Sequence, residues 1–252
     1  MTEVIRLESV HKRFGGVVVA NDINLTLAKG EILGLIGPNG AGKTSLFNLI
    51  SGVVPLDAGR IFLGGGRIDR MPLYRRARAG ISRTWQHMRL FHTMTVMENM
   101  LVAPRICHGE SLAKVLFSPG ATRREQKDLQ ERARGLLRRL DLDEVVDKLT
   151  SELPFGQQKL IGLARALMHG GDCLLLDEPM AGVEGRAYET TQRVVQEEAA
   201  GGRAVCVVEH NISFIKGLCT RAVFMASGRI LQTGTVDELL ASSTLAELYF
   251  GA

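Results

Sequence analysis

The segment from Gly37 to Thr44 has the residue types and spacing of a phosphate-binding loop. It reads Gly-Pro-Asn-Gly-Ala-Gly-Lys-Thr and fits the pattern G-x-x-x-x-G-K-[ST] in full. Glycines let backbone N–H groups close around phosphate oxygens, and a following helix N-terminus adds a favourable dipole. We expect Lys43 to reach the β- and γ-phosphates and the Thr44 hydroxyl to ligate Mg²⁺. The predicted nucleotide contacts here are Gly37, Pro38, Asn39, Gly40, Ala41, Gly42, Lys43, Thr44 and Ser45.

Two adjacent acids, Asp177 and Glu178, end the apolar run 173–176. Ligands bind beyond the carboxyl ends of strands in open α/β sheets, so this position suits a nucleotide site. Asp177 is predicted to hold Mg²⁺, directly or through water. Glu178 is predicted to act as the general base that polarises the attacking water.

The elements around these residues alternate in a way that predicts an α/β fold. Predicted strands are 4–10, 17–27, 31–36, 173–177 and 204–208, and predicted helices are 43–51, 131–140, 157–168, 186–199 and 212–218. From about residue 83 to 151 the chain becomes rich in Arg, Leu, Glu and Met, which indicates a mainly helical lobe inserted into the α/β core. Residues 108–122 are predicted to form a loop or short helix within it.

Composition and charge limit the class of protein. The chain has 252 residues, of which 45% are hydrophobic and 23% charged, so one large domain, or one with an inserted lobe, is expected. The net charge is +4, and two arginine-rich stretches either form solvated helix faces or face an anionic leaflet or acidic partner. Their members are Arg75, Arg76, Arg78, Arg83, Arg123, Arg124, Arg132, Arg134, Arg138 and Arg139.

Other features argue against several locations and partners. Aromatic residues make up only 5% of the chain, which disfavours a stacking surface for single-stranded nucleic acid. The first ten residues lack an apolar signal-peptide core, and no apolar stretch approaches the length of a spanning helix. The scattered cysteines, Cys107, Cys173, Cys206 and Cys219, are typical of reduced thiols. We therefore expect an intracellular protein with at most peripheral membrane contact.

With these motifs in place, the sequence resembles the ABC transporter ATPase family over nearly its whole length. Phe14, in Lys-Arg-Phe-Gly-Gly, resembles the aromatic residue that stacks on adenine, although a core phenylalanine is the alternative. Gln86, in Arg-Thr-Trp-Gln, resembles the glutamine that touches Mg²⁺ and passes nucleotide state to the helical lobe. His210, in Val-Val-Glu-His, resembles the switch histidine that contacts the γ-phosphate. The resemblance thus adds Gln86 and His210 to the catalytic group and Gln86 to the metal ligands.

The signature segment 153–158 departs from the family. It reads Leu-Pro-Phe-Gly-Gln-Gln where the family usually has Leu-Ser-Gly-Gly-Gln. In the family, this segment binds the γ-phosphate held by the opposite subunit, which assigns Phe155, Gly156 and Gln157 to nucleotide binding across a dimer. Pro154 has neither an N–H nor a hydroxyl, so the contact is weakened or rebuilt around the Gly156 amide. The loop 180–185 also lacks the usual Asp or Asn followed by Pro.

The resemblance implies a P-loop NTPase core with an N-terminal antiparallel β part and an inserted helical subdomain. It assigns 1–86 and 158–252 to the nucleotide-binding core and 87–157 to the helical subdomain of one domain, 1–252. It also implies ATP and Mg²⁺ as cofactors, integral membrane permease subunits, a second ATPase subunit in a head-to-tail dimer and a periplasmic or extracellular solute-binding protein, at the cytoplasmic face of the membrane. Nucleic acid is not an expected partner.

Within the family, the chain is most similar to the branched-chain amino acid uptake ATPases of the LivG type. This likeness rests on Arg83–Phe91, Met94–Ala103, an insertion near 108–125, Phe155–Gln158 and the ending Tyr249–Gly251. ATPases of lipid, urea or other permeases are alternatives. Outside transport, the alternatives are a DNA-associated ABC ATPase, a P-loop kinase and a non-hydrolysing regulatory module. A DNA-associated ATPase would need a long heptad insertion, and the helical stretch here is too short for one.

Overall fold

Strands and helices alternate along the chain in the computed structural model, which describes residues 2–86, 88–105 and 119–242. The strands are β1 (Glu3–Phe14), β2 (Val17–Ala28), β3 (Ile32–Ile36), β4 (Ala58–Leu63), β5 (Gly66–Arg67), β6 (Ile81–Arg83), β7 (Cys173–Asp177), β8 (Ala204–Val208), β9 (Arg221–Ala226) and β10 (Arg229–Gly234). The helices are α1 (Lys43–Ser51), α2 (Leu73–Ala79), α3 (Val96–Leu101), α4 (Pro119–Arg139), α5 (Phe155–His169), α6 (Arg186–Ala200), α7 (Ile212–Leu218) and α8 (Val236–Leu240).

These elements divide into two compact units. The first contains Met1–Gln86, Gly171–Ala181 and Val195–Ala252, and the second contains His87–Gly170 and Gly182–Val194. The subdivision of a single domain at 86/87 and 157/158 stays a prediction. The described residues include no helix that is long and apolar enough to cross a membrane.

The first unit contains two sheets that explain where its functional residues lie. An antiparallel sheet has the order β2-β1-β4-β5, and a larger sheet has the order β10-β9-β3-β8-β7-β6. In the larger sheet, β3, β6, β7, β8 and β9 run parallel, and β10 pairs antiparallel with β9. The carboxyl ends of the parallel strands therefore share one edge. This architecture confirms the predicted α/β class with an antiparallel N-terminal part.

The core of the first unit is built from the alternating strands β1 and β2, the fully buried strands β3, β7 and β8, and the apolar side of α1. Each residue of β3, β7 and β8 is buried, as expected for parallel strands covered on both faces. Cys173 and Cys206 lie here as free buried thiols, and burial raises the pKa of Cys173 to about 12.

The second unit is helical. Helix α4 contacts α5 and α3, and its buried residues include Ala133, Leu136 and Leu137, which recur with helical spacing. The predicted helix 131–140 is thus longer than expected, because Pro119–Thr122, assigned to a loop or short helix, form its first turn. The remainder of that insertion, together with Cys107, His87 and the ending Tyr249–Gly251, lies outside the described residues.

The prediction that the arginine-rich stretches are solvated faces is wrong for two members. Arg76 is only 1% exposed, and the side chain of Arg83 is 4% exposed. Arg76 donates to the carbonyls of Leu49 and Ile50, at the end of α1. Helix ends leave carbonyls without intrahelical partners, and a buried guanidinium can satisfy several of them at once. Local charge density does not reveal such a partner.

Candidate functional site

Glycines in the loop between β3 and α1 are required for two different reasons. A Cβ at Gly37 would lie 1.9 Å from the Met225 carbonyl oxygen, and one at Gly42 would lie 2.4 Å from the Val19 carbonyl oxygen. Both residues also have positive φ, at 148° and 101°. Gly40, with φ of 78°, has nothing within 4 Å of its Cβ position. Neighbouring backbone oxygens therefore exclude any larger residue at Gly37 and Gly42. Gly40 instead leaves open space in which a ligand can approach the backbone closely.

Lys43 begins α1 and directs its ammonium group back into this loop. The ammonium donates to the carbonyl oxygens of Gly37 at 2.7 Å and Pro38 at 2.9 Å. Burial lowers the pKa of Lys43, and the nearby Glu178 and Asp177 carboxylates oppose that shift. The lysine thus presents a mostly buried cation at the start of a helix that has no side-chain cap, which is an environment suited to phosphate.

Asp177 ends β7 with its side chain 1% exposed, and two groups hold its carboxylate. The Thr44 hydroxyl donates to Oδ1 at 3.4 Å, and Arg83 Nη2 donates to Oδ2 at 2.7 Å. The backbone N–H of Asp177 donates to the Thr84 hydroxyl at 3.0 Å. The contact with Thr44 brings together two of the three residues predicted as metal ligands. The third, Gln86, donates instead to the neighbouring Glu178.

Glu178 lies in the left-handed region, with φ of 47°, which is uncommon for a residue other than glycine. The Gln86 amide donates to its Oε2 at 3.1 Å, and His210 Nε2 lies 3.2 Å from its Oε1. The Glu178 backbone N–H donates to the Val208 carbonyl at 2.9 Å, which fixes the turn against β8. The three residues predicted as catalytic therefore lie together, with Gln86 and His210 on either oxygen of the Glu178 carboxylate. Strained backbone such as that of Glu178 is often found at functional sites.

Glu209 was not among the predicted site residues, yet its carboxylate links the two loops that carry Glu178 and His210. One oxygen accepts from the Met180 N–H at 2.6 Å, and the other accepts from the His210 N–H at 3.1 Å. Burial raises the pKa of Glu209, and these hydrogen bonds only partly oppose that shift. The sequence gives one sign of this role, an acid directly after a buried strand. It does not show the partners of Glu209, because the turn geometry determines which backbone N–H groups reach the carboxylate.

Phe14 lies at the tip of the β1–β2 hairpin, paired with Val17. The residue is 48% exposed, so it is not part of the core. Lys12 Nζ lies 5.2 Å from the ring centroid and forms an ion pair with Asp57 at 2.6 Å. An exposed ring of this kind is free to stack on a base, and its assignment to adenine stays a prediction.

In the second unit, the signature segment forms the start of α5. Pro154 occupies the N-cap position and makes no side-chain cap hydrogen bond. The adjacent Phe155 is 50% exposed. The Gln158 side chain donates to the Leu153 carbonyl at 2.8 Å, which braces the turn from its other side.

Gly156 lies in the first turn of α5 and is not required by its surroundings within this unit. A Cβ there would meet only the Ala187 Cβ, at 3.8 Å, an ordinary contact distance. Gln157, the next residue, is half-buried. The roles of Phe155, Gly156 and Gln157 toward nucleotide stay predictions.

The residues present at the edge of the larger sheet fit a magnesium nucleotide. The Thr44 hydroxyl and the Asp177 carboxylate offer oxygen atoms, which Mg²⁺ prefers. The described residues contain no group of three or more His, Cys, Asp or Glu side chains that could hold a metal ion by themselves. A cation here would need phosphate oxygens and water to complete its shell, which is how Mg²⁺ usually binds.

The structure collects six of the predicted site residues in the first unit: Lys43, Thr44, Gln86, Asp177, Glu178 and His210. Four neighbouring strands explain this, because β3, β8, β7 and β6 deliver the loop, His210, the two acids and Gln86 to the same end of the sheet. Such an arrangement can bind a triphosphate and orient water toward it.

Comparison with known proteins gives consistent matches. The family described as ABC transporter matches residues 20–181. The branched-chain amino acid transport ATP-binding protein LivG of Salmonella typhimurium is 32% identical over 98% of each chain. The lipopolysaccharide export system ATP-binding protein LptB of Acidithiobacillus ferridurans is 32% identical over 100% of this chain and 98% of its own. The ADP conformation of an ABC transporter cassette matches with a TM-score of 0.85 and 30% identity, covering all of both chains.

Proposed function

Since the chain belongs to the ABC transporter family and is an ATP-hydrolysing subunit coupled to transport, we propose that it energises uptake of branched-chain or other amino acids through a separate permease. The observation that carries the site assignment is the arrangement around Glu178, where Gln86 and His210 each contact one carboxylate oxygen. This carboxylate follows the buried strand β7, beside the strand that leads to His210.

In the proposed reaction, ATP binds with its β- and γ-phosphates at Lys43 and the loop amides. Glu178 accepts a proton from water, the water oxygen bonds to the γ-phosphorus, and the bond to the bridging oxygen breaks to release ADP and phosphate. His210 contacts the γ-phosphate, and Gln86 carries the nucleotide state away from the site. Bound Mg²⁺, held by Thr44, Gln86 and Asp177, would neutralise developing charge on the phosphate oxygens.

The proposed active form is a head-to-tail dimer with an identical or related ATPase. A phosphate loop at a sheet edge leaves the γ-phosphate open to water, and donors around its developing charge accelerate transfer. Gly156, whose surroundings within its unit leave room at the Cβ position, would present its amide to the nucleotide of the partner. Pro154 removes the hydroxyl donor of the usual signature, so each site would rely more strongly on that amide.

The amino-acid assignment rests on the likeness to LivG and on the segments quoted from the sequence. A solute-binding protein and a location at the cytoplasmic face of the membrane complete this proposal. A second candidate is an ATPase of a lipid-related export system, since LptB is as similar in identity as LivG. The permease would decide between the two, because the transported molecule does not touch this subunit.

The site is tested by Glu178→Gln. Turnover of ATP should fall roughly 10²- to 10⁴-fold, the usual contribution of a general base, while ATP binding is retained. Glu131→Gln, on the exposed face of α4, is the matched control and should leave turnover unchanged. Unchanged hydrolysis in Glu178→Gln would remove this residue from its role.

The transport assignment is tested separately by co-purification and reconstitution with the permease. In vesicles, a solute-binding protein loaded with leucine should stimulate ATP hydrolysis, and labelled leucine should accumulate. Stimulation by lipopolysaccharide instead would favour the export candidate. Recovery of nucleic acid in place of a permease would contradict both.

A further inference from the structure

Arg83, at the end of β6, makes contacts that neither the motifs nor the proposed mechanism assign to it. Its guanidinium donates through Nη2 to Asp177 Oδ2 at 2.7 Å. Through Nη1 it donates to Asn48 Oδ1 at 2.8 Å and to the Ser51 hydroxyl at 3.1 Å, both on α1. The group thus joins the helix that follows the phosphate loop to the carboxylate at the end of β7.

Two aromatic rings restrict this guanidinium further. The Arg83 Cζ lies 4.4 Å from the centroid of Trp85 and 5.5 Å from that of Phe47. Arginine stacks on aromatic faces and presents its donors in a rigid plane, so ring contacts and directed hydrogen bonds reinforce one orientation. Asp177 Oδ2 is therefore held by a donor that has little freedom to move.

The same short segment holds both acids. Thr84 donates its N–H to the Leu175 carbonyl, and its hydroxyl accepts the Asp177 N–H. Gln86 donates to Glu178. Residues 83–86 consequently contact the predicted metal carboxylate and the predicted general base through consecutive parts of one segment.

Arg76 provides an internal comparison. It is also buried against the end of α1, but all four of its described hydrogen bonds go to backbone carbonyls: Leu49, Ile50, Asp69 and Met71. Arg76 thus braces the backbone, whereas Arg83 additionally reaches a carboxylate at the candidate site. Both arginines stabilise the fold, so the contact with Asp177 is the feature that separates them.

We infer that Arg83 is a positioning residue for Mg²⁺ binding: by occupying Asp177 Oδ2, it leaves Oδ1 facing the hydroxyl of Thr44, the other residue that would hold the metal there. This inference rests on the proposed function, in which Asp177 helps to hold Mg²⁺. Partners of a ligating carboxylate orient it, and their loss typically weakens metal affinity or activity. A buried carboxylate whose charge partner is removed also loses its compensation, so its orientation would no longer be determined by the fold.

The test measures Mg²⁺ dependence of nucleotide binding with every variant in a Glu178→Gln background, so that ATP is not consumed. A ribose-labelled fluorescent ATP is bound first in EDTA and then titrated with Mg²⁺. In Arg83→Met, binding without metal should be unchanged, and the Mg²⁺ concentration for half-maximal tightening should rise roughly 10- to 100-fold. Arg83→Lys should recover only part of this loss, because one ammonium cannot reach Asp177 and the two partners on α1 with the fixed fork of a guanidinium.

Three variants separate the inference from its alternatives. Arg76→Met should lower the thermal midpoint and leave the Mg²⁺ requirement unchanged, which controls for loss of a buried arginine. Asn48→Ala removes one anchor of Arg83 and should give an intermediate Mg²⁺ requirement, which keeps the test valid if Arg83→Met does not fold. Trp85 is the single tryptophan of the chain, so its emission gives an independent midpoint for the same titration.

The outcomes distinguish the role of Asp177 in holding Mg²⁺ from the role of Arg83 in positioning Asp177. If Mg²⁺ increases the nucleotide affinity of Asp177→Asn as much as that of the parent, the metal assignment in the proposed function is wrong. If Asp177→Asn is defective while Arg83→Met and Arg83→Lys titrate like the parent, only the positioning role is wrong. The positioning role would also be wrong if Arg83→Met needed less Mg²⁺ than the parent, or if it lost as much nucleotide affinity without Mg²⁺ as with it.

Discussion

Two helix starts in this protein carry glycines that are predicted to serve a nucleotide, and they differ in what their surroundings require. Before α1, Cβ atoms at Gly37 and Gly42 would meet backbone oxygens at 1.9 and 2.4 Å. At the start of α5, a Cβ on Gly156 would meet only the Ala187 side chain, at 3.8 Å. Neither helix start has a side-chain cap hydrogen bond.

We interpret this difference as the difference between a site completed by its own fold and one that is proposed to depend on a partner. The phosphate loop is shaped by strands β2 and β9, whose carbonyls leave room only for glycine. The surroundings of Gly156 in its own unit do not explain its residue type, which is expected if the amide serves a nucleotide held elsewhere. Substitutions at the two helix starts should therefore damage different properties.

Lys43→Ala should have the largest effect on the first helix start. Loss of charged hydrogen bonds to two phosphates, at about 2 kcal/mol each, predicts at least a roughly thousandfold weaker binding of ATP. Equilibrium binding of a fluorescent nucleotide measures this. Lys216→Ala, which removes an exposed ion pair with Asp237, is the matched control and should bind normally. Retained micromolar binding by Lys43→Ala would contradict the phosphate-loop interpretation.

Gly37→Ala should mainly destabilise the fold. The added methyl would collide with the Met225 carbonyl at a positive φ, so we expect the free energy of unfolding to fall by about 3 kcal/mol. Chemical denaturation followed by circular dichroism measures this change. Gly40→Ala is the matched control, since its Cβ position is open, and it should lose less stability. Equal losses in the two variants would remove the steric explanation.

Gly156→Ala should show the opposite pattern. Alanine is favoured over glycine within a helix by up to about 1 kcal/mol, so stability should be unchanged or increased. ATP turnover should nevertheless fall about tenfold or more, corresponding to about 1.4 kcal/mol, because the methyl would crowd the partner's nucleotide. Steady-state turnover and the denaturation midpoint, measured on the same sample, check both halves. If turnover equals that of the parent, Gly156 does not contact the nucleotide.

Pro154→Ser should give the smallest effect. A serine at the N-cap typically adds about 1 kcal/mol to helix stability, and loss of the rigid proline offsets part of it. We expect the free energy of unfolding to rise by about 0.5 kcal/mol, measured by urea denaturation. Ser151→Ala, in the preceding short turn, controls for a general effect of changing this segment. A decrease in stability would show that the proline itself supports the turn.

The local pattern of the sequence was sufficient for the elements that carry the predicted site. Helix α1 begins and ends as predicted, at Lys43 and Ser51, because a glycine loop precedes it and apolar residues recur with helical spacing. The continuous apolar runs of β7 and β8 also predicted their bounds. Strands β4 and β10 and helix α2 were not predicted, since charged or polar side chains interrupt their apolar residues. Strand β9 was not predicted either, although it carries the apolar run 222–226.

The sequence by itself determined that a phosphate loop, two acids and a histidine each follow a buried strand, since glycine spacing and apolar runs are local features. Tertiary structure alone decided that Arg83 reaches Asp177, that Glu209 accepts from Met180, and that Gly37 has no room for a methyl group. These contacts join residues 94, 29 and 188 positions apart. The order of strands in the sheet decides which of these distant residues meet, and the residues next to each of them in the sequence do not indicate that order.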